Sequence, residues 1–361
     1  MNSQKNWRRC SMIEWKKLID VANILYGYPF ESSLFTEDSS YIPLIRIRDI
    51  KPAKASTFYS GELLSNYIIK KGDILVGMDG EFNLEKWDDR DGLLNQRVLK
   101  MTGINNICES AFLYHYMGPL FKKIEKETAG GSVKHLSAKI INSIQIPVPP
   151  LSEQTRIVGI LDTFTASIEN LKQQIAERRK QYEYYRDQLL DLASKRFPMV
   201  TLKDVAIIKN GKDYKNLSEG NIPVYGTGGI MTYVDCFFSN KPSVLLPRKG
   251  SVENIYYVEE AFWTVDTLYW TDIDDNKIIP KFLFLSLKRY NLKDYAYGGA
   301  RPSLSQPILY GLEIPLPPLD EQQRIVSILD TFEASIQNLE QQLAQREKQY
   351  EYYRNKLLTF E

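Results

Sequence analysis

Residues Pro149–Leu190 read PPLSEQTRIVGILDTFTASIENLKQQIAERRKQYEYYRDQLL. The same stretch returns at Pro317–Leu358 as PPLDEQQRIVSILDTFEASIQNLEQQLAQREKQYEYYRNKLL. Thirty-one of the 42 aligned positions are identical, without a gap, at an offset of 168. A fainter match precedes each copy. Gly130-Gly131 and Leu136-Ser137 answer to Gly298-Gly299 and Leu304-Ser305, and Ile146-Pro147 answers to Ile314-Pro315. The chain is therefore a duplication whose globular parts have diverged while two segments have not.

Those two segments have the pattern of long helices. The Pro-Pro pair ends the preceding strand, and Ser152 or Asp320 is the expected N-cap. Ile157, Leu161, Phe164, Ile168, Leu171, Ile175, Arg178, Tyr182, Tyr185 and Leu189 then advance by alternating steps of four and three. Ile325, Leu329, Phe332, Ile336, Leu339, Leu343, Arg346, Tyr350, Tyr353 and Leu357 do the same. A 3.5-residue period specifies a left-handed coiled coil, and about 40 residues make a rod of roughly 60 Å. Chain reach predicts an antiparallel pair. Only the short run from Ala193 to Val200 leads from the first helix into the second globular part, and it spans at most ~28 Å.

Four parts follow: a globular domain at 1–148, a helix at 149–197, a second domain at 198–316 and a second helix at 317–361. Within the domains, strands are expected at Tyr41–Ile47, Asp73–Val76, Gln96–Met101, Ile144–Val148, Ser243–Leu246 and Tyr269–Trp270. Helices are expected at Glu109–Lys123 and Lys281–Tyr290. The fold class is α+β, with two globular bodies at opposite ends of an antiparallel two-helix coiled coil and a pseudo-twofold axis between them.

Composition excludes several functions. The 361 residues are 43% hydrophobic and 25% charged, with a net charge of +1, as in an ordinary soluble protein. No apolar run reaches the ~20 residues a membrane span needs, so no membrane partner is expected. Three cysteines, Cys10, Cys108 and Cys236, lie far apart and fit a reducing cytoplasm. Two histidines, His115 and His135, leave little for metal chemistry, and no metal site is expected. A phosphate-binding lysine loop, a dinucleotide fingerprint and a methyltransferase loop are all missing. No catalytic residue and no cofactor are assigned to the chain.

The loops carry polar and basic side chains beside glycines, a combination suited to base edges and phosphates. In the first domain these are Arg46, Arg48, Asp79, Glu81, Asn83, Lys86, Gln96, Arg97 and Lys134. In the second they are Tyr225, Thr227, Arg248, Lys249, Ser251, Arg301 and Ser303. On the helices, Arg178, Tyr182, Tyr184 and Tyr185 match Arg346, Tyr350, Tyr352 and Tyr353. The arginines occupy stripe positions, where they either lay their stems over apolar surface or set register. The surplus tyrosines suit a docking surface for another subunit.

The doubled P-P-L-x-E-Q-x-R-I-V-x-I-L-D block at Pro149–Asp162 and Pro317–Asp330, with its Gly-Gly…Leu-Ser…Ile-Pro lead-in, resembles the specificity subunits of type I restriction-modification systems. So do the loops Gly77–Phe82, Asn95–Arg97 and Pro247–Ser251. The resemblance spans the chain. It implies that each globular body is a target recognition domain reading half of a bipartite site in double-stranded DNA. It implies that the helices space the domains and dock two methyltransferase subunits, through which restriction subunits join. It also implies a non-catalytic chain, with S-adenosylmethionine, ATP and magnesium held by the partner subunits. Two other classes compete with this reading: a coiled-coil scaffold without sequence-specific DNA binding, and an enzyme with diverged motifs.

Overall fold

A computed structural model describes residues 13–127, 134–190, 197–299 and 302–360. The chain forms two compact units, one made of the residues up to Asn170 together with those from Gln342 onward, the other of Leu171–Gln341. Both are mixtures of helix and sheet. The division falls within the long helices, so each unit owns a globular body, the start of one helix and the end of the other.

In the first unit, β1 (Ala22–Tyr26), β2 (Ile74–Gly77), β3 (Leu84–Lys86) and β4 (Val98–Gly103) form an antiparallel sheet in the order β1-β4-β2-β3. The helix α1 (Ser110–Glu127) covers it, with Phe112, Leu113, Met117 and Phe121 fully buried. A second sheet contains a parallel pair, Ile42–Ile45 beside Gly92–Leu94. The expected strand at Tyr41–Ile47 is therefore shorter, because the chain turns into a short helix, Ile47–Ile50, whose Asp49 side chain accepts the Arg46 N–H. Glu14–Lys17 pairs with Gln145–Val148, fastening the chain just before the long helix α2 (Leu151–Leu190).

The second unit repeats this plan. Its sheet runs β5-β8-β6-β7, with β5 (Ala206–Asn210), β6 (Ser243–Pro247), β7 (Tyr256–Val258) and β8 (Leu268–Ile273). The helix α3 (Pro280–Leu287) lies in the place of α1 but is much shorter. Met199–Thr201 pairs with Glu313–Pro315 ahead of the long helix α4 (Leu319–Leu358). Its second sheet is a hairpin, Glu219–Gly226 with Gly229–Val234, plus Trp263–Thr264. The two bodies therefore share one sheet and differ most in the other.

Ser152 and Asp320 do not cap the long helices. Both lie inside the first turn, since helix begins at Leu151 and Leu319 and the carbonyls of Pro150 and Pro318 already accept helical bonds from Gln154 and Gln322. A buried glutamine dominates this junction instead. Gln154, 0% exposed, accepts the Glu109 N–H at 2.8 Å and donates to the carbonyls of Ile107 at 2.9 Å and Pro149 at 2.8 Å. Gln322, also 0% exposed, accepts the Ile279 N–H at 2.8 Å and donates to Lys277 at 3.0 Å and Pro317 at 2.9 Å. Each buried amide thus pairs with three main-chain groups and leaves none of its own polar atoms unsatisfied, and it locks the first turn of the helix to the segment entering α1 or α3.

Packing completes the junction. Ile157 and Leu161 join the core of the first unit with Leu113, Leu136, Ile146 and Leu357. Ile325 and Leu329 join that of the second with Leu283, Leu304, Ile314 and Leu190. Each such buried aliphatic contributes about 1.5–3 kcal/mol. These stripe positions therefore serve twice, filling the domain core and packing on the far end of the other long helix within the same unit.

Beyond the cores, helix meets helix. In the first unit the Phe164 ring lies between the Tyr353 ring, stacked at 5.3 Å, and the Arg346 guanidinium at 5.8 Å. In the second, Phe332 lies between Tyr185 at 5.3 Å and Arg178 at 5.8 Å. Arg179 also pairs with Glu340 at 2.6 Å, and Tyr182 donates to Glu333 at 3.0 Å. Rising numbers on α2 meet falling numbers on α4, so within each unit the helices run in opposite directions. The stripe arginines are neither free in solvent nor buried; each rests as a cation on an aromatic face.

A buried histidine ties the helices of the first unit to α1. His115 Nε2 is 2.8 Å from Asp162 Oδ1, and Nδ1 is 3.1 Å from the Tyr350 hydroxyl. Burial holds its pKa below the ordinary value despite the Asp162 carboxylate, which pulls it up. The neutral ring then donates from Nε2 to Asp162 and accepts from Tyr350 at Nδ1. In the second unit the same two helix positions, Asp330 and Tyr182, are served differently. Lys281 reaches Asp330 at 3.4 Å and Glu333 at 3.1 Å, and Tyr182 donates to that same Glu333.

Two outcomes are expected. Gln154→Ala and Gln322→Ala each lower stability by about 1–3 kcal/mol in urea titrations, and a loss below about 0.5 kcal/mol would contradict the junction described here. Because the folded pKa of His115 is depressed, its contribution is complete above the unfolded value, near 6.5, and is lost as pH falls through the lower folded value. Thermal melts across pH 5–7 should show this loss in the wild type and not in His115→Asn.

Candidate nucleic-acid interface

In each unit three separate segments converge at one end of the shared sheet. In the first unit they are the β2–β3 turn, the residues just before β4 and the residues from Lys134 on. Met78 donates its N–H to Arg97 O at 2.9 Å, Gly80 donates to Lys134 O at 3.0 Å, and Leu136 donates to Met78 O at 2.7 Å. In the second unit Arg248 donates to Thr267 O at 2.9 Å, Gly250 to Pro302 O at 3.0 Å and Leu304 to Arg248 O at 2.9 Å. Bridges join Asp79 to His135 and Lys249 to Ser303. Gly80 and Gly250 hold the same left-handed turn, at φ of 72° and 90°, where a side chain is disfavoured.

These bonds align the two clusters residue by residue. Asp79 matches Lys249, Glu81 matches Ser251, Arg97 matches Thr267, and His135 matches Ser303. The backbone is shared and the chemistry is not. The first cluster mixes acids with bases, whereas the second offers two cations and hydroxyls.

Several candidate residues gather here. Asp79 and Arg97 form an ion pair at 3.6 Å, and Asn83 contacts Glu81 at 3.2 Å and Lys122 at 3.2 Å. Glu125 underlies the turn, accepting the Phe82 N–H at 3.1 Å and pairing with Lys122 at 3.2 Å and Lys134 at 3.5 Å. Burial opposes its charge, but the Phe82 amide and the two lysines more than offset that and keep its carboxyl below the ordinary range. Gln96 is exposed beside Arg97. In the second unit Arg248 rests on the Tyr269 ring at 5.7 Å and donates to Asp266 O at 3.3 Å. The Thr227 carbonyl accepts from Asn254 at 2.7 Å and Tyr256 at 2.9 Å, which draws the 226–229 hairpin tip to the Lys249–Ser251 turn. Tyr225, on the same hairpin, leans on Tyr256 at 5.8 Å.

Other candidates lie elsewhere or are already engaged. Arg48 donates to Ser56 at 3.0 Å and Thr57 at 2.6 Å, and Arg46 covers the Phe35 ring at 5.7 Å; both lie at the short helix Ile47–Ile50, beside the second sheet. Lys86 lies over Tyr114 at 4.8 Å and 4.0 Å from Asp162, on the helix side of the body. Arg301 and the Gly130-Gly131 pair lie outside the described residues. His135 is not among the residues expected from the sequence, although the 168-residue offset that aligns Leu136 with Leu304 also aligns it with the candidate Ser303.

On the helices, Tyr182 and Tyr350 turn inward to Glu333 and His115. Tyr185 and Tyr353 stack on phenylalanines yet stay 46% and 40% exposed, while Tyr184 and Tyr352 are open at 62% and 60%. Among the described residues no group of histidines, cysteines and carboxylates could hold a metal ion. No helix among them is long and apolar enough to cross a membrane.

Comparison with known proteins agrees with this architecture. The family model described as the type I restriction modification DNA specificity domain matches twice, at residues 12–178 and 195–348. A Haemophilus influenzae protein assigned as a type I restriction enzyme specificity subunit is 31% identical, over 97% of this chain and 96% of its own. The EcoR124I/EcoR124II specificity subunit of Escherichia coli is 27% identical over 84% of each chain. The crystal structure of a type I restriction-modification S subunit from M. genitalium superposes with a TM-score of 0.66 at 19% identity, over 100% of this chain and 99% of that one, a likeness of fold. With two matched domains and a near full-length relative, the chain belongs to the family of type I restriction-modification DNA specificity subunits.

Proposed function

We propose that this specificity subunit reads a bipartite, asymmetric site in double-stranded DNA, one half with each globular body, and leaves a gap of fixed length unread. The observation that carries the reading is the pair of clusters described above. One backbone frame recurs in both bodies with different side chains, as expected of two readers of different sequence. Arg, Asn, Gln and carboxylates can pair with base edges, while Lys, Ser and main-chain N–H groups can hold phosphates.

The spacing is set by α2 and α4 acting as an antiparallel coiled coil, with a pseudo-twofold axis that coincides with the dyad of the duplex. Support comes from the opposed helix directions within each unit and from the Arg–Phe–Tyr stacks that recur in both. Half-site separation follows helix geometry in other readers as well. Tyr184 and Tyr352, exposed at matching positions, provide two equivalent places for one kind of partner, the methyltransferase subunit, and restriction subunits join through that complex. The chain itself is non-catalytic and works in the cytoplasm, while S-adenosylmethionine, ATP and magnesium belong to the partners.

Adding one heptad after Gln174 and another after Gln342 keeps the stripe in register and lengthens the rod by about 10 Å, or about three base pairs. Methylation mapping with the assembled complex should return unchanged half-sites with a wider gap; altered half-sites with the original gap would refute the ruler. Arg248→Ala should weaken binding through the second half-site alone, read by competition between duplexes carrying one or both halves. An equal loss on DNA without that half-site would remove Arg248 from the interface.

A further inference from the structure

In the first unit Arg97, Asp79 and His135 form a surface cluster unlike anything in the second. Asp79 is the hub: Oδ1 lies 2.5 Å from His135 Nδ1, and Oδ2 lies 3.6 Å from Arg97 Nε. Arg97 Nη1 is 3.4 Å from the same imidazole nitrogen. Among the described residues nothing bonds Arg97 Nη2. The three side chains are 54%, 26% and 39% exposed for Arg97, Asp79 and His135, so a ligand can reach all of them. Arg97 also has a backbone φ of 70°, a left-handed conformation that costs a bulky residue energy and gathers at functional sites.

A carboxylate at the centre of this cluster argues against a phosphate clamp, because it offsets the arginine charge and repels the DNA backbone. The equivalent turn position in the second unit is Lys249, which has no such penalty. What a fixed arginine–carboxylate pair does offer is a planar donor beside an acceptor. The major-groove edge of a G·C pair presents the complement: acceptors at guanine O6 and N7, then the cytosine N4 donor. An A·T pair breaks that order with the adenine N6 donor and the thymine methyl group.

We propose that Arg97, oriented by an Asp79 carboxylate that His135 holds in place, reads one G·C pair in the first half-site, with Arg97 on the guanine and Asp79 on the cytosine amine. His135 is a positioning residue that fixes the Asp79 carboxylate. This assignment rests on the DNA-reading function proposed above and adds the identity of the base pair read.

The test uses the complete subunit in its assembled complex, on duplexes carrying the mapped target. Guanines of the first half-site are replaced one at a time by 7-deazaguanine. One replacement should weaken wild-type binding by roughly tenfold or more and cost Arg97→Ala nothing further. Guanine replacements in the second half-site should penalise wild type and variants alike, which also shows that the variants are folded. His135→Ala should lose part of the preference at that same pair and at no other. The proposal is overturned if every replacement adds to the Arg97→Ala loss, if Arg97→Ala binds as tightly as wild type, or if the first half-site contains no G·C pair. A complex that prefers no sequence at all would instead overturn the DNA-reading function.

Discussion

Each long helix is joined to its globular body by one buried glutamine, and the rest of the structure depends on that join. Gln154 and Gln322 each bind three main-chain groups, so the first turn of the helix cannot tilt without leaving buried polar atoms unpaired. The aliphatic residues one and two turns later then continue the domain core. A helix held in this way is an extension of its body and not a tether. The spacing proposed above requires such an extension.

The duplication shows which constraints are shared. Helix positions keep their residues because the same groups are used twice: glutamine at the junction, aspartate after the second turn, phenylalanine between arginine and tyrosine. The bodies meet those constants with different answers. Asp162 receives a neutral histidine, whereas Asp330 receives a lysine already shared with Glu333. Divergence is therefore tolerated where a body can find another way to satisfy the helix, and at the turn surfaces it is the expected result of reading unlike sequences.

Much of this was legible in the amino-acid order. The repeat, its period and the Pro-Pro boundaries located both helices to within two residues, and the core strands at Ser243–Leu246 and Ile144–Val148 fell where apolar runs placed them. Ser152 and Asp320 misled because cap preference is local, whereas these helices start on proline carbonyls beside a buried amide. Tyr182 and Tyr350 stand in the stripe and were offered for docking, because a heptad pattern does not reveal that another element, carrying His115 or Lys281, fills the remaining side. His135 was missed because a single histidine next to a lysine carries no signal until the Asp79 turn is folded onto it. Pairings between segments more than 50 residues apart, such as Asp79 with His135, cannot be read from periodicity.

In the function proposed above, a rigid join and a paired helix set the distance between two dissimilar readers. The most direct measurement is a genome-wide map of the positions modified by this subunit assembled with its own methyltransferase partner. Two different short sequences are expected, always the same number of base pairs apart, with every base tolerated between them. One continuous site, two identical half-sites or a gap of variable length would contradict it.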